Sequence, residues 1–268
     1  MFWVNGERSD TIALNDRSFH YGDGGFTTIL TAHGNIQHWA LHQARMEACL
    51  QALAIPFPDW TQVYTWLQTA CLPDALAGLK LHISRGSGGR GYSPAGLDQP
   101  TITISHFAYP AHYMALRTQG VALGICEQRL GLNPLLAGHK HNNRLEQVLL
   151  KAEMDRAGYL DGVVLDIDDH LVETTMANLF WVHNCTLYTP QLDRAGVAGV
   201  ARQQVLQWAS CHDLPVMMGK MSLTALQQAD EVFITNSILG VAPVIQIAEL
   251  HYPIGAITRR IQEIFPSC

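Results

Sequence analysis

From Trp39 to Ile55, apolar residues (Ala40, Leu41, Ala44, Met46, Leu50, Leu53 and Ala54) recur at helical spacing, and Trp60 to Leu72 repeats the tendency. Two helices are expected there. Phe2 to Val4 followed by Asn5-Gly6 reads as a strand entering a hairpin, because Asn-Gly readily supplies the positive φ values of a type I′ turn. Leu79 to Ser84 and Thr101 to Phe107 have the β-branched, apolar character of strands, with the glycine-rich stretch Arg85 to Tyr92 between them. Pro110 interrupts the pattern, and Val121 to Cys126 resumes it as a strand. Asn142 to Gly158 carries Leu145, Val148, Leu149, Ala152 and Met154 at helical period, with Gly158 as the closing glycine. Further strands are expected at Val163 to Ile167, Asn178 to His183, Thr186 to Thr189 and Glu231 to Thr235, and helices at Val200 to His212 and Ile257 to Phe265. The proline-bearing interruption divides the chain into a domain over residues 1–107, a linker over 108–118 and a second domain over 119–268.

A chain of 268 residues, 48% of them hydrophobic, is long enough to bury one large core or two moderate ones. Its net charge of -6, without any cluster of Lys and Arg, argues against nucleic acid as a partner. The start of the sequence lacks a basic segment leading into a long apolar run, and no stretch approaches the roughly 20 apolar residues of a membrane span. A cytoplasmic protein with no membrane partner is expected. The cysteines are scattered, with no C-x-x-C pair and no metal site, which suits small core residues in a reducing compartment.

Lysine is scarce: Lys80, Lys140, Lys151 and Lys220 are the only four, so lysine chemistry has few candidates. Lys140 sits in Gly138-His139-Lys140-His141-Asn142-Asn143-Arg144, at an expected junction of loop and helix. There a reactive side chain is held rigidly and still reaches a cleft, and neighbouring cations and desolvation lower an amine's pKa. A solvated surface lysine is the commoner use of that residue, and the flanking histidines are an alternative, weaker, metal reading. Glu173, between two expected strands, is suited to keep a pyridine nitrogen protonated, although a surface Glu at a strand end is more usual. Gly196 to Arg202 is a glycine-bearing turn entering a helix, whose free N–H groups and dipole favour an anion. Thr235-Asn236-Ser237 offers hydroxyl and amide donors, and Arg45 a cation. The stretch Ser84 to Tyr92 lacks the ending of a P-loop and lies between strands, and its two guanidiniums, Arg85 and Arg90, suit carboxylates instead.

Across nearly the whole chain these pieces resemble the fold-type IV pyridoxal-phosphate enzymes, the group that includes D-amino-acid and branched-chain aminotransferases. Within it, Phe19 to Phe26, Arg85 to Tyr92, Ala108 to Tyr113 and Asn133 to Glu146 are similar to the aminodeoxychorismate lyase family. The resemblance implies a two-domain α+β or α/β architecture, with a small N-terminal α/β domain and a larger, β-barrel-like C-terminal domain with helices. It implies pyridoxal 5'-phosphate as cofactor, Lys140 as the Schiff-base lysine and Glu173 on the pyridine nitrogen. Arg45, the backbone of Val200 and Ala201, and Asn236 with Ser237 would hold the phosphate. Thr28, Tyr109, Arg90 and Tyr92 would contact the small-molecule substrate, the last two across the interface of a homodimer, while His38 and Leu30 stand at variable pocket-side positions. The reaction implied is conversion of 4-amino-4-deoxychorismate to 4-aminobenzoate and pyruvate. The alternatives are an aminotransferase on the same scaffold, and a phosphate- or nucleotide-binding module with no covalent chemistry.

Overall fold

The computed structural model describes residues 1–266; Ser267 and Cys268, the end of the expected second domain, lie outside them. Among the described residues the chain forms two compact units, one of Met1–Tyr109 together with His139–Asn143, the other of Pro110–Gly138 and residues 144–266. Among the described residues no helix is long and apolar enough to cross a membrane.

The first unit comprises β1 (Phe2–Val4), β2 (Glu7–Arg8), α1 (Arg17–Tyr21), β3 (Gly24–Ala32), β4 (Asn35–Ile36), α2 (Trp39–Ala52), α3 (Trp60–Ala70), β5 (Leu76–Ser84) and β6 (Thr101–Ala108). Its sheet runs β2-β1-β6-β5-β3-β4 with every neighbouring pair antiparallel. The first hairpin turns at Asn5 and Gly6, both at positive φ. Strand alternation points Ile29, Leu79, Leu81, Ile83, Ile102 and Ile104 into one face, where they pack with Met46 and Leu50 of α2 and Val63 and Leu67 of α3. Asp59 starts α3 by accepting the N–H groups of Thr61 and Gln62 at 2.9 and 3.2 Å. The strand β3, longest in the sheet with β5, has no counterpart among the expected elements.

The second unit comprises α4 (Tyr113–Gln119), β7 (Val121–Ile125), α5 (Leu145–Ala157), β8 (Asp161–Leu165), β9 (Leu171–Thr174), β10 (Asn178–His183), β11 (Thr186–Pro190), α6 (Val200–Cys211), β12 (Val216–Gly219), β13 (Glu231–Asn236), β14 (Gly240–Ile247), β15 (Leu250–His251) and α7 (Ala256–Gln262). Its strands follow the order β12-β11-β10-β13-β14-β7-β8-β9, with β15 on β14. The edge strand β9 passes through a short turn into β10 and packs against β10 and β11, so the sheet curls towards a barrel. One core lies under Leu123, Leu179, Trp181 and Val244, and a second, under α6 and α7, holds Phe180, Val205, Phe233 and Ile261. α4 occupies part of the span read from the sequence as a linker.

One helix begins later than its periodicity suggests. Residues 142–143 are not helical: the Asn142 N–H donates to Gly24 O at 2.9 Å and Asn143 Nδ2 to Gly22 O at 3.1 Å, so the backbone is extended beside β3 and α5 starts at Leu145. Gly158 does close α5, in the left-handed region at φ 79°.

Candidate active site

In the first unit, Lys140 rides on an extended segment laid against β3. Phe26 N donates to Lys140 O at 2.9 Å, His141 bridges Gly25, and Asn142 Nδ2 reaches Ser18 Oγ at 2.8 Å. The backbone of Lys140 is thereby fixed by strand-like pairing, not by a helix start. Its Nζ stands 4.7 Å from the centre of the Phe26 ring. Burial pushes the adjacent His139 down, so that imidazole is neutral at physiological pH. Thr28 and Leu30 lie on the same face of β3 as Phe26, Leu30 buried and Thr28 half-buried. His38 caps α2 in the left-handed region at φ 53°. Tyr109 follows β6 and is half-buried.

Arg45 belongs to a chain of buried polar contacts that its sequence neighbours do not reveal. Its Nη2 donates to Thr27 Oγ1, which lies 2.7 Å from His42 Nδ1. A guanidinium only donates, so Thr27 Oγ1 accepts from Arg45; its own proton reaches His42 Nδ1 where that nitrogen is the unprotonated one of a neutral ring. Burial, then the charge of Arg45, then His38 push His42 well below the ordinary histidine range, in keeping with that role. Burial also lowers Arg45 itself, to about 10. Its Nε is buried with no hydrogen-bond partner, and among the described residues no carboxylate lies within 4.0 Å of it. Leaving a desolvated cation without a counter-charge costs several kcal/mol, so this position suits a bound anion such as a phosphate.

The loop after β5 departs from the expectation of two guanidiniums for carboxylates. Arg85 is buried and already paired: Nε and Nη2 hold Asp23 at 2.7 and 3.0 Å, and Nη1 and Nη2 hold the Ala54 and Leu53 carbonyls at 2.8 and 2.6 Å beyond the end of α2. Asp23 also accepts from Arg17 Nε at 2.8 Å, and Arg17 in turn holds the carbonyls of Gly91 and Tyr92 at 3.0 and 3.2 Å. Burial pushes the Asp23 carboxyl up, but the hydrogen bonds and charges of the two arginines outweigh it and hold the group below the usual carboxylate range. The loop's base and tip are therefore anchored. Gly86 is required here, since it sits at φ +100° and a Cβ would lie 2.1 Å from Gln99 O. Arg90 is exposed, as is Tyr92, whose ring meets Tyr21 edge-on at 5.5 Å.

In the second unit, Glu173 is buried on β9 and its Oε2 accepts the Val197 N–H at 3.0 Å. Beside it Asp161 accepts four hydrogen bonds, from Gly162 N, Thr174 Oγ1, Thr175 N and Thr175 Oγ1, at 2.6–2.9 Å. These fix the turn that follows Glu173, although burial pushes the Asp161 carboxyl up. Asn178 clamps the approach to α6: its Nδ2 donates to Val197 O at 2.8 Å and its Oδ1 accepts Gly199 N at 3.1 Å. A Cβ at Gly199 would lie 2.2 Å from that Oδ1, so only glycine allows the clamp. Gly199 caps α6 with no side-chain acceptor. The Val200 and Ala201 side chains are core, so what these residues offer outward is the N–H groups of a first helical turn. Gly138 pairs with the same turn, its N donating to Gly196 O and its O accepting from Ala198 N, both at 2.9 Å.

At the β13 to β14 turn, the Thr235 hydroxyl is turned inward onto Gly240 O at 2.7 Å. Asn236 Oδ1 accepts the N–H groups of Ile238 and Leu239 at 3.0 and 2.8 Å, so this amide shapes the turn. Ser237 is half-buried.

Residues 24–247 match the family Amino-transferase class IV. An aminodeoxychorismate lyase of Vibrio harveyi is 54% identical over 266 residues, covering 98% of both chains. The crystal structure of 4-amino-4-deoxychorismate lyase from Pseudomonas aeruginosa superposes with a TM-score of 0.93 at 38% identity, covering 98% of this chain and 97% of that one. The branched-chain amino acid aminotransferase of Escherichia coli shares the fold, with a TM-score of 0.85 at 22% identity over 98% of this chain and 91% of that one. The chain belongs to the class IV aminotransferase family and, within it, to the aminodeoxychorismate lyases.

Proposed function

We propose that this protein is a pyridoxal-phosphate-dependent lyase that converts 4-amino-4-deoxychorismate to 4-aminobenzoate and pyruvate, a step of folate biosynthesis. The observation that carries this reading is the 54% identity to a lyase of that name over 98% of both chains. Lys140 holds the cofactor through Nζ, and Glu173 keeps a proton on its pyridine nitrogen. Arg45, the N–H groups of Val200 and Ala201, and the Asn236-Ser237 turn bind its phosphate, and the uncompensated guanidinium of Arg45 supports that assignment. When bound, the cofactor supplies an electron sink for the carbon bearing the substrate's nitrogen. Lys140 Nζ takes the proton from that carbon and later supplies one to the departing enol. The carbon–oxygen bond to the enolpyruvyl group breaks, the ring becomes aromatic, and no keto-acid acceptor is consumed.

Thr28, Tyr109, Arg90 and Tyr92 contact substrate in this reading. We assign Arg90 and Tyr92 to the site of the partner in a cytoplasmic homodimer; their exposure supports it, as do the apolar residues Leu145, Val148 and Leu149 that α5 leaves open. The test of the reaction is release of pyruvate from 4-amino-4-deoxychorismate by purified protein loaded with cofactor and given no amino acceptor. Dependence on an added keto acid would favour an aminotransferase instead.

The phosphate assignment has its own test. Thr27→Val removes the hydroxyl that steers Arg45 and is expected to raise the Kd for pyridoxal phosphate about tenfold, while the affinity for unphosphorylated pyridoxal stays unchanged. Absorbance titration reads both constants, and an equal loss for the two ligands would remove the Thr27–Arg45 pair from phosphate binding.

A further inference from the structure

Along the face of the first sheet turned away from α2 and α3, polar rows give way to an apolar one. Strand register sets Phe26 beside His82 and Thr103, and Thr28 beside Lys80 and Ser105. The next row is Leu30, Gly78 and Phe107. Ile29, Leu79, Leu81 and Ile104 build the core under the helices, so strand alternation puts all three rows on the opposite face. Phe107 is half-exposed there.

Gly78 decides how that ring lies. A Cβ at Gly78 would point to the same face and meet Phe107 Cζ at 2.1 Å, Cε2 at 2.3 Å and Cε1 at 2.8 Å. The ring therefore leans from β6 across the glycine, where most strand side chains stand clear of the sheet. Its end reaches towards Leu30 on the far side of Gly78, and Leu30 is buried on this face, outside the core under the helices. An aromatic ring laid over a glycine beside a buried leucine makes a flat apolar surface. That surface is continuous with residues assigned to substrate, Thr28 in the neighbouring row and Tyr109 two positions beyond Phe107. Lys140 Nζ stands over the Phe26 ring of the same face, 4.7 Å from its centre.

We propose that Phe107, seated on Gly78, receives the six-membered ring of the substrate and determines specificity for it. The inference rests on the lyase reading. That reaction turns the ring into the flat aromatic ring of 4-aminobenzoate, whereas pyruvate carries no ring. A flat ring makes fuller apolar contact with an aromatic side chain than a puckered one of similar size, and adds offset stacking. The seat therefore discriminates between ring shapes.

Phe107→Ala removes the ring, and Gly78→Ala unseats it by placing a methyl group where the ring's end lies. Both variants are expected to raise KM for 4-amino-4-deoxychorismate about tenfold and to weaken inhibition by 4-aminobenzoate by a similar factor. The wild type's preference for 4-aminobenzoate over its saturated counterpart, 4-aminocyclohexanecarboxylate, should shrink in both. Phe107→Leu, apolar but without a ring face, should recover KM only in part. Inhibition by pyruvate, affinity for the cofactor and the melting temperature of the loaded protein should stay close to wild-type values. Unchanged KM and unchanged inhibition by 4-aminobenzoate in Phe107→Ala would overturn the proposal. So would an equal weakening of pyruvate, or a loss of cofactor affinity or melting temperature in step with KM, since the ring would then serve the fold and not the substrate. Failure of the lyase reading is separately visible, because the wild-type protein would then release no pyruvate.

Discussion

Lys140→Ala is expected to lose the cofactor's visible absorbance together with turnover, by about 10³-fold or more, because one side chain is assigned both the covalent hold on the cofactor and the proton transfer. The substitution should leave the fold intact. Lys140 is positioned by its backbone, through Phe26 N to its own carbonyl and through the Gly24 pairing of Asn142, and these bonds survive in alanine. Lys80 is a built-in control, since its ammonium lies at the same ring, 4.6 Å from the centre of Phe26. Borohydride reduction followed by peptide mass analysis reads the attachment point directly. The label should be found on the Lys140 peptide of the wild type and on no peptide of the variant; a label on Lys80, or retained turnover, would sink the assignment.

The helices and several short strands were legible in the sequence: α2, α3 and α6 bury one face at the helical period, while β10 and β13, buried on both faces, are continuous β-branched or aromatic runs. The two strands most central to the sites were not. β3 begins with Gly24-Gly25 and places Thr27 and Thr31 on the side of the helices, where Thr27 is satisfied by His42, while Phe26 and Leu30 face the other way. With Ile29 on the helix side and Thr28 on the other, each face mixes apolar and hydroxyl side chains, so the strand shows no alternation of the usual sense. β14 contains Pro243, which argues against a central strand; it is accommodated because the pairing with β7 starts only at Val244. The segments of Lys140, Glu173 and Gly196 to Arg202 stood out by composition, but the roles given to them came from family resemblance. Their supports did not stand out: Thr27 with His42, Arg17 with the carbonyls of Gly91 and Tyr92, and Asp161 with Thr174 and Thr175 meet only through sheet register and loop closure. Likewise nothing in the spacing of Arg85 told that Asp23 would consume it.

Glu173→Gln separates the electrostatic role of this carboxylate from its structural one. The side chain is buried and its Oε2 accepts the Val197 N–H at 3.0 Å; glutamine can present its amide oxygen to the same donor, so the turn into α6 should keep its shape. The turn after Glu173 is fixed independently by Asp161, through Thr174 and Thr175, which the substitution does not touch. What glutamine cannot do is stabilise a proton on the pyridine nitrogen, because a neutral amide provides no negative charge to hold it there. Turnover is therefore expected to fall about 10²- to 10³-fold, the scale of removing one preorganised electrostatic partner from a site where charge develops. Cofactor affinity should change far less, since the phosphate contacts and Lys140 remain. Glu173→Asp serves as the complementary variant: it keeps the charge on a side chain one methylene shorter, and partial activity is expected where charge matters more than reach. Pyruvate release gives kcat, and the absorbance of the loaded protein gives occupancy. A glutamine variant with full occupancy and a kcat within threefold of the wild type would show that the pyridine nitrogen does not depend on Glu173.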